Sequence, residues 1–192
     1  SQYPERTEEL STAKSPQQMF GAIAKTYFAE KIGIDPKRLF VVSIMPCVAK
    51  KSECALPTMR GEDGIPDVDV SITTRELDIM LRANHISPVH LPEEEFDDML
   101  GESSGAGVIF GVTGGVTEAV LRRLSTDKSK KALLSIAFND VRGMKGVKET
   151  TIPYGDKEVR IAIVSGLKNA ESVIQALKNG EHFDFIEVMA CP

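Results

Sequence analysis

The sequence predicts an α/β fold: a mostly parallel sheet flanked by helices, with an antiparallel hairpin near residues 147–164. Three observations predict it. Short apolar runs rich in β-branched residues alternate with stretches whose apolar residues recur at three- and four-residue steps, the pattern of strands joined by crossover helices. Two of these runs end in the same way, on Met45-Pro46-Cys47 and on Met189-Ala190-Cys191-Pro192, so that proline fixes where the strand stops and a thiol is delivered to a rim. Finally, two strand-like runs flank Tyr154-Gly155-Asp156-Lys157, whose residues suit a tight turn.

At 192 residues and 42% hydrophobic content, the chain fits one large domain or two small α/β lobes with a sizeable core. Net charge is -5 and the basic residues are scattered, so there is no basic stripe to track nucleic acid. No apolar run approaches the roughly 20 residues of a membrane span, and the acidic N-terminus has no signal-peptide core, which makes a cytoplasmic protein the expectation. Three cysteines, an odd number, argue against a disulfide framework and for thiols that are buried, reactive or metal-binding.

In order along the chain, residues 1–14 are a polar N-terminal arm. Ser15-Pro16-Gln17-Gln18 has a hydroxyl at the N-cap, Pro at the first helical position and Gln three residues after the Ser, the pattern of a capping box. The helix it opens runs to about Ile32, presents Met19, Phe20, Ile23, Ala24, Tyr27 and Phe28 as one apolar face, and closes at Gly33. Residues 39–45 form a buried strand, and Ala49-Lys50-Lys51 suits the first turn of a helix. Residues 54–68 are an irregular excursion. Residues 68–72 alternate as a half-buried strand, and Thr73 or Thr74 caps a helix to about Asn84. The acids within residues 93–98 read as a solvated helix rather than a metal site.

The glycine-dense stretch from Gly105 to Gly115 opens a helix over about residues 116–124, and its glycines serve either close packing and turns or an anion site. Neither a dinucleotide nor a P-loop spacing is present. Strands follow at 133–138, 147–152 and 158–164, then a helix opened by Ser165-Gly166 and stopped by Asn179-Gly180, then a strand from about Phe183.

Each cysteine is read either as a small buried hydrophobe or as a thiolate ligand for a soft metal such as an iron–sulfur cluster, zinc or copper(I). The spacing of Cys47 and Cys191 does not choose between these readings. Cys54, in a segment without ordered pattern, is read as a core residue. His85, His90 and His182 fall at element ends and are read as surface or capping residues.

Met45-Pro46-Cys47-Val48-Ala49-Lys50-Lys51-Ser52-Glu53 resembles the MPCxxKxxE motif of iron-only (FeFe) hydrogenases, and Glu187-Val188-Met189-Ala190-Cys191 resembles the opening of that family's ExMxC motif. The stretches Ser11 to Gly21 and Phe110 to Val116 are also similar to the family's catalytic domain, so the likeness covers nearly the whole chain. It implies proton reduction or dihydrogen oxidation at an H-cluster, a 4Fe-4S cubane joined to a diiron subcluster. Cys47 and Cys191 resemble two of the four cubane ligands, and Lys50 resembles the lysine that donates to a cyanide, with Glu53 as its partner. Met45 and Met189 resemble methionines around the diiron centre; Ser15, Pro16 and Gln17 resemble cluster-pocket residues; Phe110 resembles a hydrophobic wall and Ser11 a serine of the proton route.

Other family features are absent from residues 1–192: the upstream TSCCP-type motif, the second cysteine of the last motif and the accessory ferredoxin-like cluster motifs. The resemblance therefore implies part of a catalytic domain, inactive alone and without a complete H-cluster, within a longer anaerobic electron-transfer enzyme. Its implied partners are the rest of the hydrogenase chain or other subunits, a ferredoxin-type electron carrier and maturation proteins. Two alternatives stand beside it: a non-catalytic family relative in iron–sulfur assembly or sensing, and a small-molecule-binding α/β module that uses the glycine-rich segment.

Overall fold

A computed structural model describes residues 2–101, 105–124, 146–154 and 157–190. The chain divides into two compact units, Ser1–Gly101 and Glu102–Pro192. The helices and strands alternate as an α/β fold, and two of the three strand pairings are parallel. The described strands lie in two sheets, of two and three strands. Each unit closes its own hydrogen-bonded ladder.

In the first unit β1 (Val42–Met45) pairs in parallel with β2 (Val70–Thr73), Val42 opposite Val70 and Met45 opposite Thr73. A parallel pair needs a crossover, and α3 (Ala49–Cys54) with the irregular residues after it supplies that. The strand over 39–45 is shorter than expected and is not fully buried. Val42 and Ile44 are exposed while Ser43 and Met45 are half-buried, since this narrow sheet has only one covered face.

The first helix is α1 (Pro16–Ile23), a π-helical turn (Ala24–Phe28) and α2 (Ala29–Ile32), closed by Gly33 at φ +68°. Its packed face overlaps the expected apolar face only at buried Ala24 and half-buried Phe28. Met19, Phe20, Ile23 and Tyr27 are exposed, and the buried side carries Gln18, Gly21, Ala24, Lys25 and Ala29. Two polar facts choose that side. A Cβ on Gly21 would collide with the carbonyl of Asp67 and with Val68 Cγ2, so only glycine allows the close approach. The buried Lys25 ammonium meets Asp69 Oδ2 at 2.7 Å, which compensates its charge.

The capping box at Ser15 is likewise corrected. Ser15 is the N-cap and Pro16 the first residue, but Ser15 Oγ makes no cap bond, and Gln18 spends its amide on Cys54 instead. The box that does close is at α4 (Thr74–Ala83), where the Glu76 amide donates to Thr73 Oγ1 at 3.2 Å and the Thr73 amide to Glu76 Oε2 at 2.7 Å. The Lys51 ammonium also bonds Glu76. That bond first, and the Thr73 amide second, push the Glu76 carboxyl down to about 2. The acidic stretch within residues 93–98 is exposed and irregular rather than helical. Pro92 precedes it, its like charges repel, and its Phe96 is 99% exposed, so no apolar face anchors a helix.

The second unit is a sheet ordered β3 (Val147–Tyr154), β4 (Lys157–Ser165), β5 (Phe185–Met189). The expected hairpin forms, with Val147 opposite Val164 and Tyr154 opposite Lys157; residues 155–156 of its turn lie outside the described residues. Central β4 is buried on both faces. Ile161 and Ile163 pack with Leu121 of α6 (Gly115–Leu124), while Ala162 and Val164 pack with Val173 of α7 (Leu167–Lys178) and with Phe183. Burying each branched side chain there contributes roughly 1.5–3 kcal/mol. A short helix, α5 (Gly105–Ile109), precedes α6. The strand expected at 133–138 lies outside the described residues. No helix among the described residues is long and apolar enough to cross a membrane.

Candidate functional site

Strand β1 ends at Met45, Pro46 has no N–H to extend the ladder, and Cys47 follows, half-buried, two residues before α3 begins. On α3 the offsets of three and four residues place Lys50, Glu53 and Cys54 on one face. Lys50 Nζ lies 3.0 Å from Glu53 Oε2, and the two side chains are 26% and 18% exposed. Gln17 reaches this face from α1: its Nε2 donates to Glu53 Oε2 at 2.9 Å and to the Lys50 carbonyl at 3.3 Å. Ser43 Oγ of β1 donates to Gln17 Oε1 at 2.6 Å. One glutamine therefore ties together α1, β1 and α3.

Of the residues singled out from sequence, Gln17, Lys50 and Glu53 are brought together directly. Met45 closes β1 on the same side as Ser43, and Pro16 starts α1. Ser15 Oγ is buried and, among the described residues, has no hydrogen-bond partner. Ser11 stands in the arm, where its Oγ accepts the Ala13 amide at 3.2 Å. In the second unit, Phe110 is half-buried just beyond α5 and Met189 is the half-buried last residue of β5. Cys191 lies outside the described residues, and with it the expected convergence of the two cysteine-ended strands.

Three features make contacts that the sequence does not assign. Cys54 is not part of an unpatterned segment: it ends α3, and its sulfur receives Gln18 Nε2 at 3.3 Å and Gln17 Nε2 at 3.7 Å. Its four-residue offset from Lys50 was the signal. Ser43 was signalled only by sharing a strand face with Met45. Glu187 is a buried carboxylate on β5 that accepts the Gly114 and Thr117 amides, both at 2.8 Å, and the Thr117 hydroxyl at 2.5 Å. The amide groups at the start of α6, which favour an anion, are thus taken by the chain's own carboxylate. Gly114, at φ +84°, makes the turn, and Gly115 lies so close to the Ile109 carbonyl that it admits no Cβ. Among the described residues no three His, Cys, Asp or Glu side chains gather as a metal-holding group.

A thiol at a strand end with a carboxylate-paired ammonium one helical turn further on is a donor set suited to an anionic iron–sulfur group. Residues 1–192 match the family described as iron only hydrogenase large subunit, C-terminal domain, and the chain belongs to that family. It is 51% identical over its full length to the NADP-reducing hydrogenase subunit HndD of Solidesulfovibrio fructosivorans, covering 32% of that protein. To the periplasmic [Fe] hydrogenase large subunit of Nitratidesulfovibrio vulgaris it is 45% identical over 99% of the chain, covering 45% of that protein. To the cytosolic iron-sulfur assembly component 3 of Mus musculus it is 30% identical over 95% of the chain, covering 40% of that protein. The fold matches a solved variant of [FeFe]-hydrogenase HydA1 from Chlamydomonas reinhardtii with a TM-score of 0.69 and 34% identity, over 99% of this chain and 55% of that one. The chain thus spans about half of the solved structure and less than half of these relatives.

Proposed function

We propose that this chain forms part of the catalytic domain of an iron-only hydrogenase, an enzyme that interconverts protons plus electrons and dihydrogen at an H-cluster. The carrying observation is the Lys50–Glu53 pair, braced by Gln17, one helical turn beyond Cys47. The residue types suit the group. Cys47, with Cys191, would supply thiolates to the 4Fe-4S cubane. Lys50 has three N–H donors and Glu53 engages one, which leaves donors for an anionic cyanide ligand. The buried hydroxyl of Ser15, without a partner among the described residues, is a further donor two residues from Gln17. When bound, the group supplies the redox chemistry at iron.

The chain's own side chains do the rest. Glu53 accepts from both Lys50 and Gln17, so the lysine is not an uncompensated charge in a half-buried place. Met45, Met189, Phe110 and Pro16 would exclude water with soft, apolar surface. Ser11 would hold a proton on its way between solvent and the site. A ferredoxin-type electron carrier, maturation proteins and further hydrogenase segments or subunits are the partners of this reading, in an anaerobic, cytoplasmic setting. One relative is named periplasmic and another NADP-reducing, so compartment and carrier are tested directly, by cell fractionation and by screening electron donors.

Membership of the same family by an iron–sulfur assembly component supports a second, non-catalytic reading. Lys50 with its Glu53 partner favours the hydrogenase, because a cation aimed at cyanide has no task without a diiron centre. The deciding experiment is anaerobic exposure of the complete protein to hydrogenase maturation proteins, followed by iron analysis and hydrogen evolution. Iron uptake with no diiron infrared bands and no turnover would favour the assembly reading. Running residues 1–192 alone in parallel tests the expectation that they are inactive by themselves.

A further inference from the structure

We propose that Ser43 is a positioning residue for the lysine of this site, acting through Gln17 and Glu53; its relevance to turnover rests on the hydrogenase reading above. The orientation of the Gln17 amide follows from its neighbours. One end faces Glu53 Oε2 at 2.9 Å and the Lys50 carbonyl at 3.3 Å, which are both acceptors, so that end is the NH2 group. The other end is then the carbonyl oxygen and needs a donor, which Ser43 Oγ provides at 2.6 Å. Ser43 is itself fixed by the β1–β2 ladder, opposite Ser71.

Without that hydroxyl, Gln17 Oε1 loses its donor, and the amide is held only by the bonds of its NH2 end to Glu53 and the Lys50 carbonyl. Held at one end only, Gln17 places Glu53 Oε2 less firmly, and Glu53 in turn places the Lys50 ammonium less firmly. The strand thus sets where the ammonium sits. The neighbouring Lys51 is outside this chain of bonds, because it pairs with Glu76, and it serves as an internal reference.

The test uses the complete hydrogenase subunit as wild type, Ser43→Ala and Ser43→Thr, the last of which keeps the hydroxyl on a β-branched residue suited to a strand. Before loading, a limiting dose of an amine-acylating reagent is applied and the Lys50:Lys51 labelling ratio is read by mass spectrometry. Ser43→Ala is expected to raise the ratio by about threefold, the factor for losing one modest hydrogen bond, and Ser43→Thr to restore it. After loading, Ser43→Ala should shift the cyanide stretching bands in the infrared, with Ser43→Thr again like wild type. An unchanged ratio in Ser43→Ala overturns the proposal whether or not the protein loads. A raised ratio with unshifted bands overturns the reach of Ser43 to the cluster. Failure of the wild type to load overturns the hydrogenase reading instead, and the labelling ratio still decides Ser43.

Discussion

Replacing Glu187 by Ala would remove a buried carboxylate that takes three hydrogen bonds, from the amides of Gly114 and Thr117 at 2.8 Å and from the Thr117 hydroxyl at 2.5 Å. Bonds to a charged acceptor contribute about 1.5–3 kcal/mol each, and the hydroxyl can turn elsewhere, so two stranded amides set most of the loss. Relief of the carboxylate's own desolvation offsets part of it, which leaves a net destabilisation of about 2–4 kcal/mol. Glu187→Gln keeps one acceptor oxygen but turns an NH2 group toward a donor, and should cost about 1–2 kcal/mol. Urea unfolding of the purified protein measures both, as a lower midpoint at unchanged slope. Thr117→Val should then cost much less in the Glu187→Ala background than in wild type. A Glu187→Ala protein within about 0.5 kcal/mol of wild type, or one more stable than Glu187→Gln, would refute the reasoning.

Three further outcomes are expected. On the proposed hydrogenase reading, in which Lys50 faces the cluster, Glu53→Gln should lower hydrogen evolution by the matured complete protein roughly 10–100-fold; unchanged turnover would remove Glu53 from the proposed site. Gly21→Ala should destabilise by about 1–3 kcal/mol by forcing Asp67 and Val68 away, even though alanine favours a helix by about 1 kcal/mol, and a more stable variant would show that no close approach exists. The Glu76 carboxyl lies at about 2 against an ordinary 4.5, so its contribution is complete above about 4.5 and is lost as pH falls toward 2. The stability difference between wild type and Glu76→Gln, followed by urea unfolding against pH, should therefore shrink to nothing over that window; a pH-independent difference would refute it.

The sequence alone determined what depends on near neighbours. The helix cap at Thr73, the left-handed stop at Gly33, the hairpin across residues 147–164 and the spacing from Cys47 through Lys50 to Glu53 all span a few residues, where backbone preference and helical or strand period decide. The strand-and-helix alternation that made the fold class legible is of the same kind. Tertiary structure decided which partners those elements met. The first helix turned its polar and glycine side inward because Gly21 fits against Asp67 and Lys25 against Asp69, choices that no hydrophobic period contains. Gln18 left its capping role for Cys54. Gln17 became the junction of the site because Ser43, 26 residues away, completes its amide, and Glu187 closed the start of α6 from 70 residues away. A hydrogen bond between such distant positions leaves no period in the chain, because its geometry exists only once the strands and helices that carry its two ends have packed.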